Sequence, residues 1–157
     1  MALASGVFVT YVVGSFSSPW AGRLASRRGS RAVVPAMLAV YAAGLALTLV
    51  DHLAAIAAGV ALITFGFFAA HGTTSAWVTA RAANKGRGTG LAGALYLAFY
   101  YAGSSVFGAL AGSAWSAWGW PGVAALSLGL VLVALALAVS MRWVPPVPAR
   151  PFESPQP

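Results

Sequence analysis

Long apolar runs alternate with short polar interruptions along this chain. The first run extends from about Leu3 to Trp20 and closes at Pro19 and a basic stretch, and the second runs from about Ala32 to Val50 and stops at Asp51 and His52. The third, from about Leu53 to Thr79, is the longest and ends in a second basic stretch holding Arg81, Lys85 and Arg87. The fourth covers about Leu91 to Ala114; a turn rich in Trp, Gly and Pro follows from Trp115 to Pro121, and the fifth covers about Gly122 to Met141. A bilayer core needs about 20 helical residues, with a range of about 17 to 25, so each run is long enough to span. The pattern predicts an all-α polytopic membrane protein of five transmembrane helices, at about 3–20, 32–50, 53–79, 91–114 and 122–141, in one unit over 1–144. The tail 145–157 carries six prolines in thirteen residues and is too Pro-rich to continue a helix.

Composition agrees with the pattern. Hydrophobic residues make up 60% of the chain and charged residues 7%, and mean hydropathy is +0.83, a balance that a water-soluble domain of 157 residues could not cover with polar surface. A pI near 10.9 raises the question of a nucleic-acid partner, but the cations are scattered through separate loops and not gathered on one face. No nucleic acid is expected. The chain has no cysteine, which removes disulfides and thiolate metal sites. The first apolar run has no Lys or Arg before it and contains Ser5, Thr10 and Tyr11, unlike a cleaved signal.

Charge then sets topology. The ten residues from Gly22 to Arg31 hold four of the nine cations, the mark of a short cytoplasmic loop. With five antiparallel spans all nine (Arg23, Arg27, Arg28, Arg31, Arg81, Lys85, Arg87, Arg142, Arg150) fall on one side, and the other receives only the Asp51-His52 and Trp115 to Pro121 turns. Tryptophans flank the spans at both interfaces, with Trp20, Trp77 and Trp143 at the basic ends and Trp115, Trp118 and Trp120 at the opposite turn. A cytoplasmic C-terminus puts the N-terminus of five spans outside, which suggests that sequence upstream is missing.

Polarity distinguishes the spans. The second offers Tyr41 and Thr48 and the fifth Ser127 and Ser140, so both can face lipid and read as peripheral. The first carries Thr10, Gly14, Ser18 and Gly22 at i, i+4 spacing, a small-residue stripe that lets another backbone approach. The fourth has a packing seam of Tyr101, Ser105, Gly108 and Gly112 and an aromatic face of Tyr96, Tyr100, Gly103 and Phe107.

His71 is the one ionisable group deep in a span. It shares a face with Thr64, Phe68 and Ser75 and lies about 9 Å inward from Trp77 at 1.5 Å per residue. Intramembrane ionisable residues are costly and tend to mark pathways or proton relays; the alternative is a neutral histidine hydrogen-bonded between helices. The two acids, Asp51 in a turn and Glu153 in the tail, cannot pair for acid–base work, and there is no HExxH or Gly-x-Ser-x-Gly. His52 and His71 alone do not make a metal site. An enzyme is therefore not expected, nor a metal or cofactor.

The stretch Gly22 to Arg31 resembles the signature loop of the major facilitator superfamily, in which Gly, three residues, Asp, a base, any residue, Gly and two bases follow one another. Gly22, Arg27, Gly29 and Arg31 match; Ser26 replaces the acid and Ser30 one base. Such departures are common in the copy of the loop between that family's eighth and ninth helices, which makes the five spans helices eight to twelve. The runs Gly66-Phe67-Phe68-Ala69-Ala70-His71-Gly72 and Phe99-Tyr100-Tyr101-Ala102-Gly103-Ser104-Ser105 are similar to the C-terminal half of bacterial efflux permeases of the superfamily.

The resemblance implies a partial fold of that family in the plasma membrane of a bacterium, multi-pass, with its N-terminal half supplied in cis or in trans. It implies efflux of a small organic molecule by alternating access, with protons as a candidate coupling ion. His71, Tyr96 and Tyr100 are then the expected substrate or proton pathway, Gly22, Arg27, Gly29 and Arg31 the gating loop, and Gly14, Ser18, Gly108 and Gly112 helix-packing positions. A non-transporting membrane scaffold or vestigial fragment is the alternative.

Overall fold

The computed structural model describes residues 2–86 and 88–144, with side chains described from Val12 onward and at no position beyond Val144. Arg87, Arg150, Glu153, the tail 145–157 and the side chain of Thr10 lie outside the described residues. All described secondary structure is helical: α1 (Ala2–Arg28), α2 (Ser30–Leu47), α3 (Leu53–Asn84) and α4 (Thr89–Ser140), followed by a single 3₁₀ turn, Met141–Trp143. Among the described residues three stretches are long and apolar enough to cross a membrane, namely Ser30–Leu47, Leu53–Asn84 and Thr89–Trp143. At 1.5 Å per residue the 32 residues of α3 reach about 48 Å, well beyond a hydrocarbon core of about 30 Å.

Two expected loops are mostly helix. Between Gly22 and Arg31 only Gly29 leaves the helical conformation, so Arg23, Arg27 and Arg28 ride on the last turns of α1 and Arg31 on the first turn of α2. The reason is local: Arg, Leu and Ala propagate a helix, and nothing before Gly29 stops it. Gly29 adopts φ 81°, ψ 144°, a conformation essentially confined to glycine, and its N–H still bonds the Ala25 carbonyl at 2.8 Å. One residue thus ends α1 and starts α2. Arg27 and Arg28 sit where cations complement the helix dipole.

The same economy shapes the other end. The expected turn Trp115 to Pro121 is helical on both sides of one residue, Gly119, at φ 61°, ψ −150°. Five separate helices are therefore seen as four helical elements, the last broken into arms 89–118 and 120–140. Pro121 follows at the start of the second arm, where its missing N–H costs nothing. A Cβ on Gly122 would lie 2.7 Å from the Ala114 carbonyl oxygen, so the chain folds back tightly at this point. The Trp120 indole N–H donates to Thr48 Oγ1 at 3.1 Å, and that hydroxyl donates to the Leu45 carbonyl at 2.7 Å. The break in α4 and the α2–α3 turn therefore share one end of the molecule.

Packing is tightest around α3. Against α2 it runs antiparallel at near backbone contact: a Cβ on Gly66 would lie 2.7 Å from both the Met37 carbonyl oxygen and the Tyr41 nitrogen, and one on Gly44 2.8 Å from the Gly59 carbonyl oxygen. Against α1 it runs parallel, with the Phe68 ring over Gly14 and Ser18 Oγ against Gly72. Where the three helices meet, Ala21, Val33, Met37, Ala69 and Ala70 form a small buried core. The tight seam between α2 and α3 was not expected for a span read as peripheral. Gly22, Gly108 and Gly112, by contrast, face open space, and a Cβ on any of them meets nothing within 4 Å among the described residues.

Candidate functional site

His71 and Phe67 stand one turn apart on α3, and Tyr96 and Tyr100 one turn apart on the first arm of α4. Residues at i and i+4 share a helix face, so the two pairs meet as opposing clamps. His71 and Phe67 stack nearly parallel, with ring centroids 5.6 Å apart and planes at 13°. Tyr100 lies 4.8 Å and Tyr96 5.4 Å from the imidazole centroid, both tilted. The imidazole is thus enclosed by three aromatic rings.

The Tyr96 hydroxyl lies 3.0 Å from His71 Nδ1 and 3.3 Å from the His71 carbonyl oxygen. One arrangement of protons satisfies both contacts: Nδ1–H donates to the Tyr96 oxygen, and Tyr96 O–H donates to the His71 carbonyl. We assign that tautomer because it pairs every group involved. It leaves Nε2 as the acceptor, free to take a proton from outside the pair. Of the hydroxyls expected on the face of His71, that of Thr64 bonds elsewhere. Thr64 Oγ1 donates to the Val60 carbonyl, and Ser75 contributes its carbonyl to Thr79 Oγ1.

His71, Tyr96 and Phe67 also line an open cleft of about 680 Å³ between α2, α3 and the second arm of α4. Its walls are almost wholly apolar, with Leu38 of α2 facing Val131, Ala134 and Leu137 of the second arm. Tyr41 and Thr74 border it, and Arg81 is the one charged side chain in its lining. Tyr100 touches the imidazole but is not part of this lining. Two of its walls are α2 and the second arm, which the sequence reading made peripheral. No group of three or more His, Cys, Asp or Glu that could hold a metal exists among the described residues.

The structure therefore brings His71, Tyr96 and Tyr100 into one cluster, and adds Phe67, whose part was not anticipated. Arg27, Gly29 and Arg31 gather at the α1–α2 junction, away from this cluster along the helices. Helical spacing from His71 could have found Phe67 at i−4, but only the fold brings Tyr96 and Arg81 to the same cleft.

Comparison with known proteins decides the family, because the family model of the major facilitator superfamily matches residues 1–157. The chain belongs to the major facilitator superfamily. It is 42% identical over 138 residues to the uncharacterized MFS-type transporter YybF of Bacillus subtilis, covering 87% of this chain and 33% of that protein. It is 39% identical over 134 residues to the inner membrane transport protein YnfM of Escherichia coli, covering 85% of this chain and 31% of that protein. An uncharacterized transporter of Buchnera aphidicola is 31% identical over 134 residues, with 85% and 32% covered. The chain thus spans about a third of the length of the curated relatives it matches. No solved structure matches it significantly. The relatives are named as transporters.

Proposed function

We propose that these residues form helices eight to twelve of a secondary transporter that exports a small organic molecule by alternating access, coupled to protons through His71. The observation that carries the reading is the histidine itself: an ionisable group inside an apolar helix, held by Tyr96 and enclosed by aromatic rings. Protonation at Nε2 would create an imidazolium whose charge the faces of Phe67 and Tyr100 can stabilise, by roughly 0.5 to 2 kcal/mol for a cation on a ring. Asp51, the single acid among the described residues, lies in a turn, so His71 is the group in these helices that can change charge.

In this reading the break at Gly119 separates two spans, giving five in all. The basic ends face the cytoplasm of a bacterium, the C-terminus lies inside, and the α1–α2 junction with Arg27 and Arg31 acts as the gating loop. The rest of the carrier, about two-thirds by comparison with the relatives, supplies the other wall of the substrate path. Export as the direction follows the likeness of 66–72 and 99–105 to efflux permeases.

The test is proton-driven transport by the full-length protein in sealed vesicles. His71→Ala is expected to abolish coupled transport, and Tyr96→Phe, which keeps the ring and removes the hydroxyl, to lower it about three- to tenfold, the equivalent of one hydrogen bond. Transport by His71→Ala that remains full and proton-dependent would remove the histidine from the mechanism and favour a helix-packing role for it.

A further inference from the structure

The cleft beside His71 has a shape and a charge that the transport reading does not use. Its lining on α3 runs from Phe67 to Arg81 and on the second arm from Leu130 to Met141, which at 1.5 Å per residue gives a groove roughly 16 to 21 Å long, parallel to the helices. That length matches one leaflet, about half of a 30 Å hydrocarbon core. It is apolar along its length and cationic at one end, where Arg81 stands one turn beyond Trp77 in the last turn of α3.

No side chain among the described residues neutralises that guanidinium. Asp51 is the single acid there, and it precedes the opposite end of α3, about 40 Å away. We infer that the groove is a binding site for an acidic phospholipid of the leaflet that meets the basic helix ends. The phosphate pairs with Arg81 and an acyl chain lies along Leu38, Val131, Ala134 and Leu137 toward Tyr41. The guanidinium presents a fork of donors suited to a phosphate, and the indole of Trp77 belongs at headgroup depth. Basic pockets between transmembrane helices on the cytoplasmic side are where acidic headgroups bind. The groove is open, not enclosed, and α2 and the second arm of α4, the spans expected to face lipid, form two of its walls. The site stands on the groove and Arg81, and it survives even if His71 takes no part in transport.

The test is native mass spectrometry of the full-length protein released from bilayers of equal phosphatidylglycerol and phosphatidylcholine, with helicity checked by circular dichroism. The wild type is expected to retain phosphatidylglycerol selectively. Arg81→Gln should weaken that retention about fivefold and Arg81→Lys less, while Arg142→Gln, an exposed cation outside the lining, should leave most of it. Ala134→Phe, which fills the groove and keeps the charge, should also release the lipid. Equal retention of both lipids by the wild type, or full retention by both Arg81→Gln and Ala134→Phe, would overturn the site. Displacement of phosphatidylglycerol by an equimolar free fatty acid would show that the groove takes soluble amphiphiles instead.

Discussion

Two glycine-rich surfaces in this molecule do opposite things. On the α2–α3 surface, Gly44, Gly59 and Gly66 are filled to backbone contact, so that a single methyl would meet a carbonyl or an amide nitrogen of the facing helix. On the first arm of α4, Gly103, Gly108 and Gly112 face nothing within 4 Å among the described residues, beside Phe99 at 77% and Tyr101 at 63% exposure. The sequence shows small residues at helical spacing in both places. What separates them is whether the fold supplies a facing helix, and a seam does not announce its partner. Small residues let helices approach in a membrane, where close packing replaces the hydrophobic effect as the source of association.

The largest effect should come from closing the filled seam. Gly66→Val places a branched side chain against the Met37 carbonyl and the Tyr41 backbone, which belong to the helix ladder and cannot yield as a rotamer would. Overpacking of this kind costs about 1 to 3 kcal/mol and can exceed that where backbone must move. Thermal unfolding of the full-length protein in detergent should show a clearly lowered midpoint, with helices α2 and α3 more accessible to protease. An unchanged midpoint would mean that the two helices are not in backbone contact.

A smaller effect is expected where the two surfaces are tied together. The Trp120 indole pins the break in α4 to the end of α2 through Thr48. Trp120→Phe keeps an aromatic ring and deletes the donor, and Thr48 stays satisfied by the Leu45 carbonyl. The loss should be about one hydrogen bond, roughly 0.5 to 1.5 kcal/mol. Faster amide exchange at the ends of both α4 arms, with α1 unaffected, would locate that loss at the break. Uniform exchange would place the tie elsewhere.

Hydropathy made most of the fold legible, because runs of spanning length have few alternatives to helix. The junctions were harder to read. Gly22 to Arg31 and Trp115 to Pro121 look like loops by charge and by Gly and Pro content, yet each holds one non-helical residue, since a glycine at positive φ can reverse the chain without a loop. In the site, His71 stands out as an ionisable residue in an apolar run. Its bond to Tyr96 does not, because it joins residues 25 apart through the docking of two helices. Thr64 shows the opposite case: helical spacing puts it on the face of His71, but a hydroxyl in a helix can satisfy itself on the carbonyl four residues back, as Thr64 does.

The smallest effect tests the empty surface. Gly112→Ala on the first arm adds a methyl to open space, and alanine is the better helix former by about 1 kcal/mol in a soluble host. In the full-length protein the unfolding midpoint should hold or rise slightly if this face stays open. A fall comparable to that of Gly66→Val would mean that another helix packs on Gly112 as closely as α2 packs on α3, as the packing position read from the sequence would require. The face would then be a second filled seam whose partner lies outside these residues, and the aromatic side chains around it would be packing groups with no part in the substrate path.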